Sequence, residues 1–185
     1  RIQRKPQALP LLILVDISGS MERYARLLLA FLHQATRSTP RQVFAFGTGL
    51  TNLNPAFKLR DTDDMLALSS RQIQDFAGGT QLGQSLAQLR THHAKKLTGR
   101  RTVVLLISDG LDTGSAQTLD SELAWLKRRS RKVLWLNPLL RFDAYAPLAT
   151  GAAVLNQHVD GMLAIHNLSR LEELASAMTK LLQKN

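Results

Sequence analysis

The sequence predicts an α/β domain built on a mostly parallel sheet, and three observations carry that expectation. Leu11, Leu12, Ile13, Leu14 and Val15 are apolar at every position, as in a strand covered on both faces. Similar short apolar runs return near Val43 to Phe46, Val103 to Ile107, Val133 to Leu136 and Met162 to Ile165. Between these runs lie stretches with helical spacing, and parallel neighbours need crossovers of that kind.

Taken in order, the first strand ends abruptly at Asp16, and Tyr24, Leu27, Leu28, Phe31, Leu32 and Ala35 then recur at helical spacing. This is a strand, loop, helix unit. Gly47 to Leu59 holds the turn formers Asn52, Asn54 and Pro55, which suit a hairpin to a short antiparallel edge strand. Helices are expected over Asp63 to Phe76, Leu82 to Lys96 and Gln117 to Arg129. A last helix follows, where Leu168, Leu171, Leu174, Ala175, Met178, Leu181 and Leu182 form one stripe and Ser169 with Glu172 suits a capping box.

The chain has 185 residues and a hydrophobic fraction of 44%, enough for one domain with a substantial core. Residues 1–10 read as a basic junction and 11–185 as the folded domain, the C-terminal part of a longer protein. No apolar run approaches the roughly 20 residues that cross a bilayer, and cytoplasm is the expected location. The absence of cysteine excludes disulfides, thiolate catalysis and cysteine-ligated zinc. A formal charge of +10 favours acidic partners.

Open parallel sheets bind ligands beyond the carboxyl ends of their strands. After the first strand, Asp16-Ile17-Ser18-Gly19-Ser20 offers one carboxylate and two hydroxyls at two-residue spacing. After the central strand, Ser108-Asp109-Gly110 places a second carboxylate at the same sheet edge, and Gly78-Gly79-Thr80 adds a third approach. Asp16, Ser18, Ser20, Thr80 and Asp109 are hard oxygen donors suited to Mg²⁺ or Mn²⁺ rather than zinc or copper. Two carboxylates neutralise a divalent ion, which can still attract one carboxylate from outside. The competing reading makes Ser18, Ser20 and Thr80 helix caps and Asp109 a turn residue beside Gly110.

In combination, these strings resemble the metal-ion-dependent adhesion site of von Willebrand factor A domains, and all five positions match. The resemblance runs from Leu11 to about Leu182 and implies a Rossmann-like three-layer αβα sandwich with one short antiparallel edge strand. It also implies a partner protein that supplies an Asp or Glu carboxylate to the metal. Gly78-Gly79-Thr80, Ser108-Asp109-Gly110-Leu111-Asp112 and Trp135-Leu136-Asn137-Pro138-Leu139 further resemble CoxE-like proteins. That narrower resemblance implies an accessory role with a MoxR-type AAA+ ATPase in maturing a carbon monoxide dehydrogenase or related molybdenum hydroxylase.

Catalysis is not expected. A magnesium reaction would use Asp16, Asp109 and Asp112, but there is no G-x-x-x-x-G-K-[ST] loop and no Gly-x-Ser-x-Gly elbow. The histidines read as surface or satisfied core residues. The rival function is nucleic-acid binding, RNA above all, through Lys127, Arg128, Arg129, Arg131 and Lys132. Only Trp125 and Trp135 lie near that cluster, which is little aromatic surface for stacking.

Overall fold

The computed structural model describes residues 8–74, 78–97, 99–138, 149–164 and 176. In chain order the elements are β1 (Leu11–Asp16), α1 (Glu22–Ala35), β2 (Arg41–Phe46), β3 (Leu50–Asn52), α2 (Asn54–Phe57) and α3 (Thr62–Gln72). They continue as α4 (Leu82–Leu97), β4 (Val103–Ile107), α5 (Ala116–Arg129), β5 (Lys132–Asn137), α6 (Thr150–His158) and β6 (Gly161–Ala164). The six strands form one sheet in the order β3-β2-β1-β4-β5-β6. Every pairing is parallel except β2 with β3, the short antiparallel edge expected from the turn formers.

The parallel register separates two cores by residue parity. Leu11, Ile13 and Val15 of β1 face one layer with Leu28, Leu32, Phe57 and Met65 from α1, α2 and α3. Leu12 and Leu14 face the other with Leu86, Leu123 and Leu155 from α4, α5 and α6. Each fully buried aliphatic side chain contributes about 1.5–3 kcal/mol, so a strand buried on both faces requires the unbroken apolar run seen in β1.

Two expectations need correction. The expected α1 stripe includes Leu27, but the buried face is Ala25, Leu28, Leu29 and Leu32, and Leu27 is 50% exposed. One helical step of about 100° carries Leu27 off the face that Leu28 occupies. Helix α3 stops at Gln72 rather than continuing to Phe76, because Ile73 turns extended and buries its side chain in the core. Asp75 and Phe76 lie outside the described residues, as do Ile165, the expected last helix over Leu168 to Leu182 and residues 1–7 of the basic junction.

Helices α4 and α5 pack against each other on one face of the sheet. Arg90 of α4 grips Glu122 of α5 through Nε and Nη2, at 2.9 and 2.7 Å. Near the start of α4, a Cβ added at Gly83 would stand 2.8 Å from the backbone nitrogen of Leu119. The expected effect of Gly83→Ala is a net loss of about 1–2 kcal/mol, because overpacking against backbone outweighs the better helix propensity of Ala. Urea denaturation of the two proteins measures it, and an unchanged or raised midpoint would mean that the helices part without strain.

Candidate metal centre

The donor residues named from sequence gather at one end of the sheet, Asp16, Ser18, Ser20 and Asp109 where β1 and β4 end and Thr80 on the segment that leads into α4. Asp16 is the last residue of β1 and is fully buried. The backbone N–H of Ile17 still donates to Phe46 O at 2.9 Å, so the loop begins while tied to β2. A turn follows, closed by Met21 N–H to Ser18 O at 2.8 Å, and α1 starts with Met21 at its N-cap. No side chain caps α1, so the hydroxyls of Ser18 and Ser20 are not engaged as caps. They face each other at 3.3 Å instead.

Asp16 organises the centre. Its Oδ1 accepts the backbone N–H of Ser18 at 2.9 Å, and its Oδ2 accepts the hydroxyl of Ser108 at 2.7 Å. Thr80 Oγ1 lies 3.5 Å from both carboxylate oxygens, at the outer limit of a hydrogen bond. The Thr80 loop is held by Thr113, whose backbone N–H and hydroxyl donate to Thr80 O at 2.8 and 2.9 Å. The Thr80 hydroxyl is turned to Asp16, and at the start of α4 it is Asp112 Oδ1 that accepts the N–H of Leu82, at 2.9 Å. Asp112 is thereby a capping carboxylate rather than a third member of the cluster.

Asp109 follows β4, whose Ile107 is in register with Val15 of β1, so Ser108 and Asp109 come level with Asp16 and the loop beyond it. Asp109 Oδ1 accepts the N–H of Leu111 at 2.9 Å, as a turn residue does. Its Oδ2 is buried and has no hydrogen-bond partner among the described residues. An orphaned carboxylate oxygen of that kind is costly unless something charged meets it. Gly110 makes the turn at φ +81°, where a Cβ would also meet the Trp135 ring at 2.9 Å. Trp135 in turn donates its Nε1–H to Ser108 O at 2.8 Å, and Asn137 Nδ2 donates to Asp109 O at 3.3 Å.

Ser108 is the residue that sequence reading passed over. Its hydroxyl donates to Asp16 and accepts the N–H of Gly110 at 3.0 Å, linking the two carboxylate loops. The signal available was its place between the apolar run of β4 and Asp109.

Electrostatically the centre is short of positive charge. Burial raises the Asp16 pKa above its ordinary 3.8, hydrogen bonds from Ser18 and Ser108 oppose the rise, and the Asp109 charge adds to it. No Lys, Arg or His pairs with either carboxylate among the described residues. Two carboxylates with three hydroxyls, one oxygen left unsatisfied, fit a hard divalent cation with oxygen coordination. Among the described residues no group of three or more His, Cys, Asp or Glu is placed for a softer metal.

His33 and part of the basic cluster make structural contacts. His33 is fully buried, with Nε2 2.8 Å from Leu59 O and Nδ1 3.0 Å from the Thr62 hydroxyl, a satisfied core histidine. In the basic cluster, Lys127 pairs with Asp160 at 3.6 Å and Arg129 lies over the Trp125 ring. That cluster also closes the C-terminal turn of α5, where cations oppose the helix dipole.

A family model described as "VWA domain containing CoxE-like protein" matches residues 1–171. No curated protein matches the sequence. Among solved structures, proximal thread matrix protein 1 from the mussel byssus is 16% identical with a TM-score of 0.66, over 96% of this chain and 49% of that one. A von Willebrand factor type A protein from Catenulispora acidiphila is also 16% identical with a TM-score of 0.68, over 97% of this chain and 44% of that one. This chain thus spans about half the length of these two. BatB from Bacteroides thetaiotaomicron is 15% identical with a TM-score of 0.56, over 93% and 99% of the two chains. Another structure of the mussel protein has a zinc-occupied metal-ion-dependent adhesion site motif. At these identities the structural matches establish the fold.

The raised pKa of Asp16 has a definite sign for stability. A carboxyl whose folded pKa exceeds its unfolded value contributes stability that is complete below 3.8 and is lost as pH rises through the folded value. In the metal-free domain, burial therefore disfavours the charged form of Asp16. Asp16→Asn is expected to match or exceed the parent in thermal stability at neutral pH in chelator, and to lose less between acid and neutral pH. Denaturation scans across that range decide it, and a variant much less stable than the parent at neutral pH would refute the reading.

Proposed function

This chain belongs to the CoxE-like family of von Willebrand factor A domains, and on that premise we propose that it is a metal-dependent protein-interaction domain rather than an enzyme. The observation that carries the reading is the buried Oδ2 of Asp109, without a hydrogen-bond partner among the described residues, beside the buried carboxylate of Asp16. A Mg²⁺ or Mn²⁺ ion held by Asp16, Ser18, Ser20, Thr80 and Asp109 relieves both. Ser108 keeps Asp16 oriented, and such supporting hydrogen bonds matter nearly as much as the ligands themselves. The zinc-occupied motif of the mussel byssus protein lends support to a metal at this place in the fold.

When bound, the ion supplies Lewis-acid attraction for one further oxygen ligand. With the chain's own carboxylates supplying −2, that ligand is an Asp or Glu side chain of a partner. The domain's positive charge draws an acidic surface toward it at long range. Within this reading the chain is a CoxE-like accessory protein in the cytoplasm, acting with a MoxR-type AAA+ ATPase in maturing a carbon monoxide dehydrogenase or related molybdenum hydroxylase. Among the described residues, no helix is long and apolar enough to cross a membrane.

Calorimetric titration with magnesium chloride and with manganese chloride tests the ion, and capture from lysate in magnesium or in chelator tests the partner. Ser108→Ala is expected to lower metal affinity by about 10- to 100-fold, and Asp109→Asn by at least as much. Both should release a partner retained only in the presence of the metal. Retention that ignores chelation and both substitutions, or failure of the parent domain to take up either ion, would overturn the proposal.

A further inference from the structure

At the opposite end of the sheet lies a second site that the adhesion reading does not use. Arg41 is the first residue of β2, whereas Phe46 at its other end is in register with Asp16. Five residues of strand separate the two ends, about 17 Å. Around Arg41 opens a cavity of about 340 Å³ lined by Arg41, Gln42, Asn52, Asn54, Lys58 and His93, with Phe57 as its apolar wall. None of these is acidic, and neither Arg41 nor Lys58 is in an ion pair among the described residues.

The Arg41 guanidinium is held rigidly. Nη1 donates to His33 O at 2.9 Å and to the Thr36 hydroxyl at 2.6 Å, Nη2 donates to Phe57 O at 2.8 Å, and the group lies over the Phe57 ring at 5.0 Å. All three hydrogen-bond acceptors are neutral. A guanidinium has five N–H groups, so among the described residues Nε–H and one Nη2–H remain, enough for a bidentate contact with an oxyanion. Burial, with a smaller effect from the Arg37 charge, pulls the Arg41 pKa below its ordinary value. A cation lacking counter-charge behaves in this way.

The amides complete the donor set. Asn52 Oδ1 accepts both the backbone N–H and the Nδ2 of Asn54, at 2.9 and 2.6 Å. Asn54 Oδ1 is occupied by Val43 N–H at 2.9 Å. This network engages both amide oxygens and, among the described residues, leaves the Asn52 Nδ2 hydrogens for a ligand. Lys58, exposed at the C-cap of α2, adds a mobile ammonium at the rim.

We propose that this cavity is an anion site that binds a phosphate group through the Arg41 guanidinium, the Lys58 ammonium and the Asn52 amide. A rigid fork beside a flexible point charge and a neutral donor is a donor set for a compact dianion. The site is independent of the metal centre, at the other end of the strands, and stands whether or not a metal binds there.

Amide NMR of the labelled domain in chelator, titrated separately with orthophosphate and phosphoserine at constant ionic strength, tests it. Saturable shifts are expected at Arg41, Asn52 and Lys58 in at least one arm, and the tighter ligand distinguishes a free ion from a phosphorylated side chain. Lys58→Gln, on an exposed side chain, should leave the unliganded spectrum unchanged away from position 58 and weaken binding about tenfold, as for loss of one charge-assisted contact. Asp16→Asn should bind phosphate like the parent. Shifts that fail to saturate, parent-like affinity in Lys58→Gln, or loss of binding in Asp16→Asn would each overturn the proposal.

Discussion

Strand β1 is paired along both edges and covered on both faces, and this confinement governs the rest of the molecule. Every residue from Leu11 to Val15 is buried, in two sets that alternate between the helical layers. No polar side chain fits within such a strand without a partner. The first carboxylate therefore appears at its end, where Asp16 leaves the sheet, and the same confinement on β4 pushes Ser108 and Asp109 to the matching position. A polar centre at this edge follows from apolar packing in the middle of the sheet.

That centre runs against the charge of the domain around it. The chain carries +10 overall, yet the buried carboxylates of Asp16 and Asp109 have hydroxyls and amides for neighbours and, among the described residues, no paired cation. The contrast separates two physical tasks. The long-range field gathers acidic surfaces, while a local pair of negative charges selects a divalent ion and leaves it able to take one more carboxylate. At the other end of β2, the Arg41 cavity has the reverse arrangement, a fixed cation whose hydrogen-bond partners are all neutral. One sheet thus holds a carboxylate pair at one end and a guanidinium at the other, with an apolar interior between them.

Much of this architecture was legible in the chain. The five apolar runs became five strands, and the turn formers Asn52, Asn54 and Pro55 marked the antiparallel edge correctly. Helix faces were less legible, because a leucine-rich stretch such as Leu27-Leu28-Leu29 satisfies more than one stripe, and only contact with the sheet selects among them. The α3 terminus was misjudged for a similar reason. Ile73 fits a helical pattern as well as an extended one, and its burial in the core decided the matter.

The same division holds at the site. Sequence alone determined which residues were available there, since a carboxylate or hydroxyl directly after an apolar strand is forced to the sheet edge by the cost of burying it elsewhere. Only the tertiary structure decided how they meet. Thr80 and Ser108 lie 64 and 92 residues from Asp16, and it is the parallel pairing of β1 with β4 and the tether of Thr113 to the Thr80 loop that bring their hydroxyls to its carboxylate. It decided, too, that Ser108 braces Asp16, that Asp112 caps a helix, and that one oxygen of Asp109 has no hydrogen-bond partner among the described residues. Hydrogen-bond satisfaction depends on distances between segments remote in the chain, which local residue patterns do not encode.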